Sequence, residues 1–419
     1  MKGDAIKFSV NKGLLFACSM MLTLPIDILQ VADGQSGFPL SLIVVVFAPF
    51  CFIKRVGQDA IYIYLTIVCS LISIVGISFI YQKFELRPYL SFIYFTLPTL
   101  GYFVAMTLVK DIDGFNFYLK WSVNFAVILA FSLIYTIFIK GGGIVRLEGN
   151  LQGSFFGLNL SGAYGVHTLG AHYFILMFLI FYYITSDNKI NILMRVIYVL
   201  SLLLYILIIL LSLSRELLLG LFIFFLWYSL YRFKLFKTLA IVFFIILLTY
   251  FFGREIIDGL LLVWETKLSA TSGASNLNDL SSGRLDLQEL AVRQIVKNPI
   301  FATGFNGYIL DYTSYKDYDN LDGWSTHIYY LTCIWKMGVL AFVFYAVFWW
   351  NTLRKILNSH IPIEHYNHKL LLIFVICLLF INLFWDAFLA PNIMAWFSFF
   401  CGGLIKSRNG KLVNFNNQE

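Results

Sequence analysis

Long apolar runs alternate with short connectors along this chain, and the pattern predicts helices that cross a membrane. We expect twelve spans of roughly 15–23 residues, close to the length that crosses about 30 Å of hydrocarbon as a helix. The runs are continuous, which favours helices over the alternating strands of a barrel. The spans are predicted at 13–31, 38–53, 61–80, 88–109, 121–139, 166–184, 196–213, 216–231, 236–252, 328–350, 370–389 and 390–405. The predicted fold class is all-α, a polytopic integral membrane helical bundle.

One long polar stretch of 74 residues, 253–326, interrupts the apolar pattern. Within it, the mixed apolar and charged segment Ile256–Leu268 suits a helix lying on the membrane surface. Ser281 or Ser282 can cap a second helix that runs to about Val296, and Asn298-Pro299 ends it. The predicted organisation is nine helices in 1–252, an external loop in 253–326, three helices in 328–405 and a tail in 406–419.

Composition supports this class and excludes a soluble enzyme. The chain is 60% hydrophobic and 13% charged, whereas soluble domains carry about 25% charged residues. With the N-terminus inside, 18 of the 30 Lys and Arg residues lie on the cytoplasmic side, and the short outer connectors hold five. This asymmetry predicts an inner-membrane protein with both termini in the cytoplasm and the long loop in the periplasm. The net charge of +7 reflects the same bias, so no nucleic-acid partner is expected.

Cysteine and histidine usage gives no metal pattern. The six cysteines all fall inside predicted spans, so no disulfide is expected in the external loop. His360, His365 and His368 cluster in a predicted cytoplasmic connector without a partner cysteine or carboxylate pattern, and we interpret them as solvated surface residues. Neither a metal nor a cofactor is expected.

Two arginines stand where a lipid headgroup would lie. Arg215 falls in a tight turn between two apolar runs, at the predicted outer face, where it either binds an anionic headgroup or pairs with Glu216. Arg284 opens the second loop helix, where a cation opposes the helix dipole. A bound anion would explain Arg284, and an ordinary surface charge is the alternative.

The other candidates are weaker as single residues. Arg293 is nine residues after Arg284, about 180° around the helix, and an i, i+4 pair with Glu289 accounts for it equally well. His327 ends the external loop and can exchange a proton near neutral pH, although an interfacial histidine is the plainer interpretation. Further substrate-binding candidates are polar groups within the spans, namely Lys336, His167 and His172.

The order of these residues resembles the O-antigen ligase and polymerase superfamily. The matching pieces are Ser214-Arg215, Gly283-Arg284, the segment Asn298–Phe305, His327, and Lys336-Met337-Gly338. They span roughly residues 196–345, and the first half of the chain matches only in hydropathy. Ile328 stands where family members often have Asn, and Lys336 stands where an acidic residue is frequent.

The resemblance implies glycosyl transfer on the outer membrane face from an undecaprenyl-pyrophosphate-linked oligosaccharide. Arg215 and Arg284 would hold the pyrophosphate, and His327 would act as general base on the acceptor hydroxyl. Membrane lipids and a chain-length regulator protein are the further partners implied. We expect a polymerase that joins repeat units; the alternatives are a ligase that transfers the polymer to lipid A core and a lipid-linked sugar flippase. The long outer loop and the lack of charges through the bundle centre argue against the flippase.

Overall fold

The computed structural model describes residues 2–31, 35–46, 58–134, 154–155, 158–159, 165–186, 190–211, 215–232, 284–305, 326–358, 367–384 and 386–415. Helices dominate this part of the chain. In chain order they are α1 (Lys2–Thr23), α2 (Ser41–Val46), α3 (Gln58–Tyr81), α4 (Arg87–Thr96), α5 (Gly101–Leu108), α6 (Ile112–Ile134), α7 (Gly165–Ser186), α8 (Ile192–Leu211), α9 (Arg215–Arg232), α10 (Arg284–Lys297), α11 (Tyr329–Met337), α12 (Val339–Asn358), α13 (Asn367–Ile381) and α14 (Pro391–Phe415).

Within the described ranges, four helices are long and apolar enough to cross a membrane by length and composition: Gln58–Tyr81, Pro88–Leu108, Ile112–Ile134 and Ile192–Ile209. Shorter apolar helices lie at Gly170–Ser186, Glu216–Leu230 and Lys369–Ile381. These helices fit a helical membrane protein, and the count of twelve spans stays a prediction. The ninth predicted span, 236–252, lies outside the described residues.

Helix α14 forms the centre of the bundle. Its residues from Pro391 to Ile405 are buried, as expected for a helix that is apolar on all sides. Small residues let its neighbours approach closely: a Cβ on Gly402 would stand 2.4 Å from the carbonyl oxygen of Tyr102 in α5. Close packing on glycine is how helices associate where no hydrophobic driving force exists between them.

Helices α3 and α12 pack antiparallel, and polar contacts fix their register at two levels. Near the start of α3, the buried Asp59 accepts hydrogen bonds from Lys355 of α12 and from the hydroxyl of Tyr102, the latter at 3.0 Å. Fourteen residues further along α3, the hydroxyl of Ser73 donates to the carbonyl of Met337 at 3.1 Å. The two levels are about 21 Å apart along the helix. Met337 therefore lies in the half of the bundle that is predicted to be the outer half.

Four sequence-based expectations need correction. The eleventh span was expected over 370–389, but its helix ends at Ile381 and a short 3-10 helix follows at Ala387–Leu389. The first span was expected to run to residue 31, but α1 ends at Thr23, and Asp27–Val31 pairs with Gln35–Pro39 as an antiparallel hairpin. A second short pair, Ser154–Phe155 with Leu158–Asn159, makes the fold nearly all helical rather than strictly all-α. The tenth span, expected as one helix over 328–350, is two helices separated at Gly338.

Candidate active site

His327 sits in a turn that its neighbours hold by hydrogen bonds. Its φ of 57° is in the left-handed region, which costs an L-residue roughly 1–3 kcal/mol. The amide of Thr326 donates to the hydroxyl of Thr332 at 3.0 Å, and the Thr326 hydroxyl donates to the carbonyl of Ile328 at 3.0 Å. Both threonines are fully buried. These bonds fix the strained residue at the start of α11, and we call residues 326–328 the His327 turn.

Helix α10 of the long loop docks onto this turn. The side-chain amide of Gln288 donates to the carbonyl of Thr326 at 3.2 Å. Further along, Ala291 packs against Trp335 of α11, so the two helices run side by side in the same direction. Arg284 is one helical turn before Gln288 and shares its face, because residues four apart lie above one another. The start of α10 is thereby brought to the His327 turn.

The segment after α10, residues 298–305, caps the far end of α11, and we call it the clasp. The amide and hydroxyl of Thr303 both donate to the carbonyl of Trp335, at 3.0 and 2.8 Å. The amide of Phe305 donates to the carbonyl of Lys336 at 3.0 Å. Helix ends leave such carbonyls without partners, so the clasp satisfies groups that are costly to bury alone.

Glycines allow the clasp to fit between α3 and α12. Gly304 has φ of 52°, and a Cβ there would stand 2.6 Å from the carbonyl oxygen of Ser73. Gly338 has φ of 83°, and a Cβ there would stand 2.0 Å from the carbonyl oxygen of Ile300. The amide of Val339 donates to the carbonyl of Pro299 at 2.9 Å. The break between α11 and α12 is therefore built around the clasp.

Arg215 reaches the same end of the bundle along another route. It is the first residue of α9, and α8 ends at Leu211. The tight turn expected between these helices falls on residues 212–214, which lie outside the described part of the structure. Gly220 of α9 packs on the side chain of Ile381 at the end of α13. The carbonyl of the next residue, Asn382, accepts a hydrogen bond from the amide of Tyr329, directly after the His327 turn. The side chains of Arg215 and Arg284 themselves lie outside the described part of the structure.

The remaining candidates occupy other environments. Arg293 donates to Glu289 at 2.5 Å with both side chains largely exposed, so the i, i+4 pair is confirmed. Lys336 lies in the last turn of α11, at the opposite end from the His327 turn. His172 is fully buried, with Nε2 2.7 Å from the carbonyl oxygen of Thr23. His167 is in the first turn of α7, five residues or about 140° from His172, and its side chain lies outside the described part. Their substrate contacts stay predictions.

Gln288 is the site residue that the sequence did not reveal. Its spacing of four from Arg284 was visible, but a polar residue on a loop helix is usually solvated, and only the fold sets it against Thr326. Among the described residues, no group of three or more His, Cys, Asp or Glu side chains is arranged to hold a metal ion.

Comparison with known proteins agrees with the resemblance noted from the residues. Residues 200–346, about a third of the chain, match the family model described as O-antigen ligase. This range runs from α8 into α12 and includes Arg215, Arg284, His327 and Lys336. No curated protein matches the chain. The match at residues 200–346 is consistent with the O-antigen polymerase and ligase superfamily.

Proposed function

We propose that this membrane protein polymerises lipid-linked oligosaccharide repeat units into a surface polysaccharide at the outer face of the inner membrane. In the proposed reaction the donor glycan is carried on undecaprenyl pyrophosphate, and the acceptor is a sugar hydroxyl. The observation that carries the proposal is the convergence of three segments at one end of the bundle. They are the start of α9 at Arg215, the start of α10 at Arg284 and the His327 turn.

Charge at this end suits a pyrophosphate. The helices α9, α10 and α11 all begin here, and the aligned peptide dipoles of a helix place roughly half a positive charge at its start. Arg215 and Arg284 add two permanent charges whose planar guanidinium groups can each donate two hydrogen bonds to phosphate oxygens. Negative charge on the pyrophosphate increases as the glycosidic bond breaks, so these groups would stabilise the transition state more than the bound donor.

His327 is proposed as the general base. The acceptor hydroxyl oxygen attacks the anomeric carbon, the bond from that carbon to the pyrophosphate oxygen breaks, and the hydroxyl proton passes to the imidazole. The configuration at the anomeric carbon inverts, and undecaprenyl pyrophosphate leaves. The hydrogen bonds of the His327 turn support this role, because a base must hold a fixed position relative to the proton that it removes.

A ligase is the second candidate function. The matching family model is described as O-antigen ligase, and a ligase would use the same donor and the same three segments. The difference is the acceptor, which is lipid A core for the ligase and the next repeat unit for the polymerase. We favour the polymerase because this class accommodates such divergent first halves, rich in Phe, Ile and Tyr.

The test is transfer by the purified protein from a lipid-linked repeat unit in vitro. Elongation without lipid A core supports the polymerase; product only when lipid A core is supplied supports the ligase; no product in either case contradicts a transferase. His327→Gln keeps hydrogen bonding but cannot take up a proton, so we expect donor binding to persist and transfer to be lost. Equal rates for wild type and His327→Gln would refute the catalytic role of His327.

Orientation is tested separately with fusions to a reporter that is active only outside the cytoplasm. A fusion near Ser275 should be active, and fusions near Lys189 or Asn358 should be inactive. The reverse pattern would place the long loop in the cytoplasm, where this proposed reaction does not occur.

A further inference from the structure

Helix α10 has a second apolar face that α11 does not cover. Leu285, Val292 and Val296 are 44%, 48% and 74% exposed, and we call these three residues the apolar stripe. Their spacings of seven and four place them within about 40° of one another around the helix. The stripe lies roughly 100° away from the face through Gln288 and Ala291 that packs on α11. A helix in a loop that is simply solvated has no reason to carry it.

Charged residues occupy the adjoining side of the same helix. These charged residues lie about 40–120° around the helix from the stripe, and they are Glu289, Arg293 and Lys297. The stripe and the face that packs on α11 together form an apolar arc on the opposite side of the helix. All three charged residues are exposed. An apolar arc facing protein and lipid, with charges facing water, is the pattern of a helix that lies in a membrane interface.

Contacts between the clasp and α3 fix the position of the C-terminal end of α10 along the bundle. The ring of Phe301 in the clasp would meet a Cβ on Gly76 at 3.1 Å, and Gly304 abuts Ser73. These contacts lie about 7–12 Å before the last residue of α3, which is itself a candidate span. Phe79 and Ile80 of α3, further out than the clasp, are still apolar and 67% and 56% exposed. The lipid-facing surface of α3 therefore extends past the level of the clasp.

The apolar stripe continues into other exposed apolar side chains at this depth. Ile300 in the clasp is 58% exposed, and Leu340 and Val343 at the start of α12 are 48% and 46% exposed. The hydrogen bond from the amide of Val339 to the carbonyl of Pro299 joins the two elements. The stripe, the clasp and the start of α12 thus all carry exposed apolar side chains on adjoining elements, and α12 packs along the candidate span α3.

We propose that α10 is partly immersed in the membrane and that acyl chains of outer-leaflet phospholipids cover its apolar stripe. The stripe extends about 17 Å along the helix, from Val296 near the clasp to Leu285 beside Arg284. The loop predicted as wholly external therefore contains a membrane-embedded helix that holds the site at the lipid surface.

Thiol labelling in spheroplasts tests the water exposure of the two faces. Val292→Cys and Val296→Cys are compared with the matched positions Glu289→Cys and Arg293→Cys, using a membrane-impermeant maleimide and mass spectrometry of the peptides that carry residues 285–300. Peptide-level detection keeps the native cysteines out of the measurement. We expect the two stripe positions to react at least tenfold more slowly than the two charged-face positions. Equal rates would place the stripe in water and overturn the proposal.

A second measurement identifies what covers the stripe. The unsubstituted protein is placed in nanodiscs with a phospholipid that carries a photoactivatable diazirine in its acyl chain. Adducts on Leu285, Val292 or Val296, absent from Glu289 and Arg293, are the expected result. Slow thiol labelling without acyl-chain adducts would mean that protein covers the stripe, and the proposal would be wrong.

Discussion

Substituting Gly338 by alanine tests the junction between the clasp and the helix that begins at the His327 turn. The residue has φ of 83° and ψ of 160°, a conformation almost restricted to glycine, which costs another residue roughly 1–3 kcal/mol. The added Cβ would also stand 2.0 Å from the carbonyl oxygen of Ile300, closer than real Cβ contacts occur. The clasp must then shift, which breaks the bond from Val339 to Pro299, worth about 1 kcal/mol. The backbone strain, the lost hydrogen bond and the part of the steric clash that the shift does not remove together give an expected destabilisation of about 3–5 kcal/mol.

The assay is thermal unfolding of the purified protein in detergent. Unfolding entropy is about 2.1 cal/mol/K per residue, so for a chain of 419 residues that unfolds as one unit the loss lowers Tm by about 3–6 °C. Gly13→Ala is the matched control, because no atom lies within 4 Å of its Cβ position in α1. Alanine is favoured over glycine in a helix by roughly 0.5–1 kcal/mol, so this variant should melt at or slightly above the wild-type temperature. Equal Tm values for the two variants would refute the described geometry of the Gly338 break.

Three further variants test the site and the bundle. Gln288→Met removes the hydrogen-bond donor to Thr326 at constant side-chain length, and the loss of about 0.5–1.5 kcal/mol should lower kcat of transfer up to tenfold. The control, Glu289→Gln, should stay within twofold of wild type. A Gln288→Met variant with wild-type kcat would contradict the role of Gln288 in docking α10. Arg215→Ala should accumulate normally and lose about 100-fold or more in transfer, and full activity of Arg215→Lys would rule out recognition by a planar fork. Lys355→Met should lower Tm by about 1 °C because it leaves the buried Asp59 carboxylate with Tyr102 alone. Adding Asp59→Asn to this variant should recover part of the loss in Tm. No recovery would show that Lys355 and Asp59 are not coupled.

The sequence alone predicted three apolar helices closely. The apolar runs predicted at 61–80, 166–184 and 216–231 appear as α3, α7 and α9, with ends displaced by at most three residues. An apolar run must satisfy its backbone polar groups within the bilayer, and a helix does so without help from the rest of the chain. The loop helix was also predicted closely: expected from Ser281 or Ser282 to about Val296, it runs from Arg284 to Lys297, before Pro299. Local chemistry decides such an end, because proline disfavours helix in the residue before it.

Only the tertiary structure decided how these elements form a site. The break at Gly338 lies in a continuous apolar run, and hydropathy does not show it because the cause is a carbonyl of Ile300, 38 residues earlier in the chain. The buried environment of His172 likewise depends on a contact with the carbonyl of Thr23, 149 residues earlier in the chain. The sequence indicated Arg284 and His327 as separate candidates, while Gln288 joins their segments through a single hydrogen bond to Thr326. Periodicity and composition report on neighbours along the chain, and the contacts that assemble this site connect residues far apart in it.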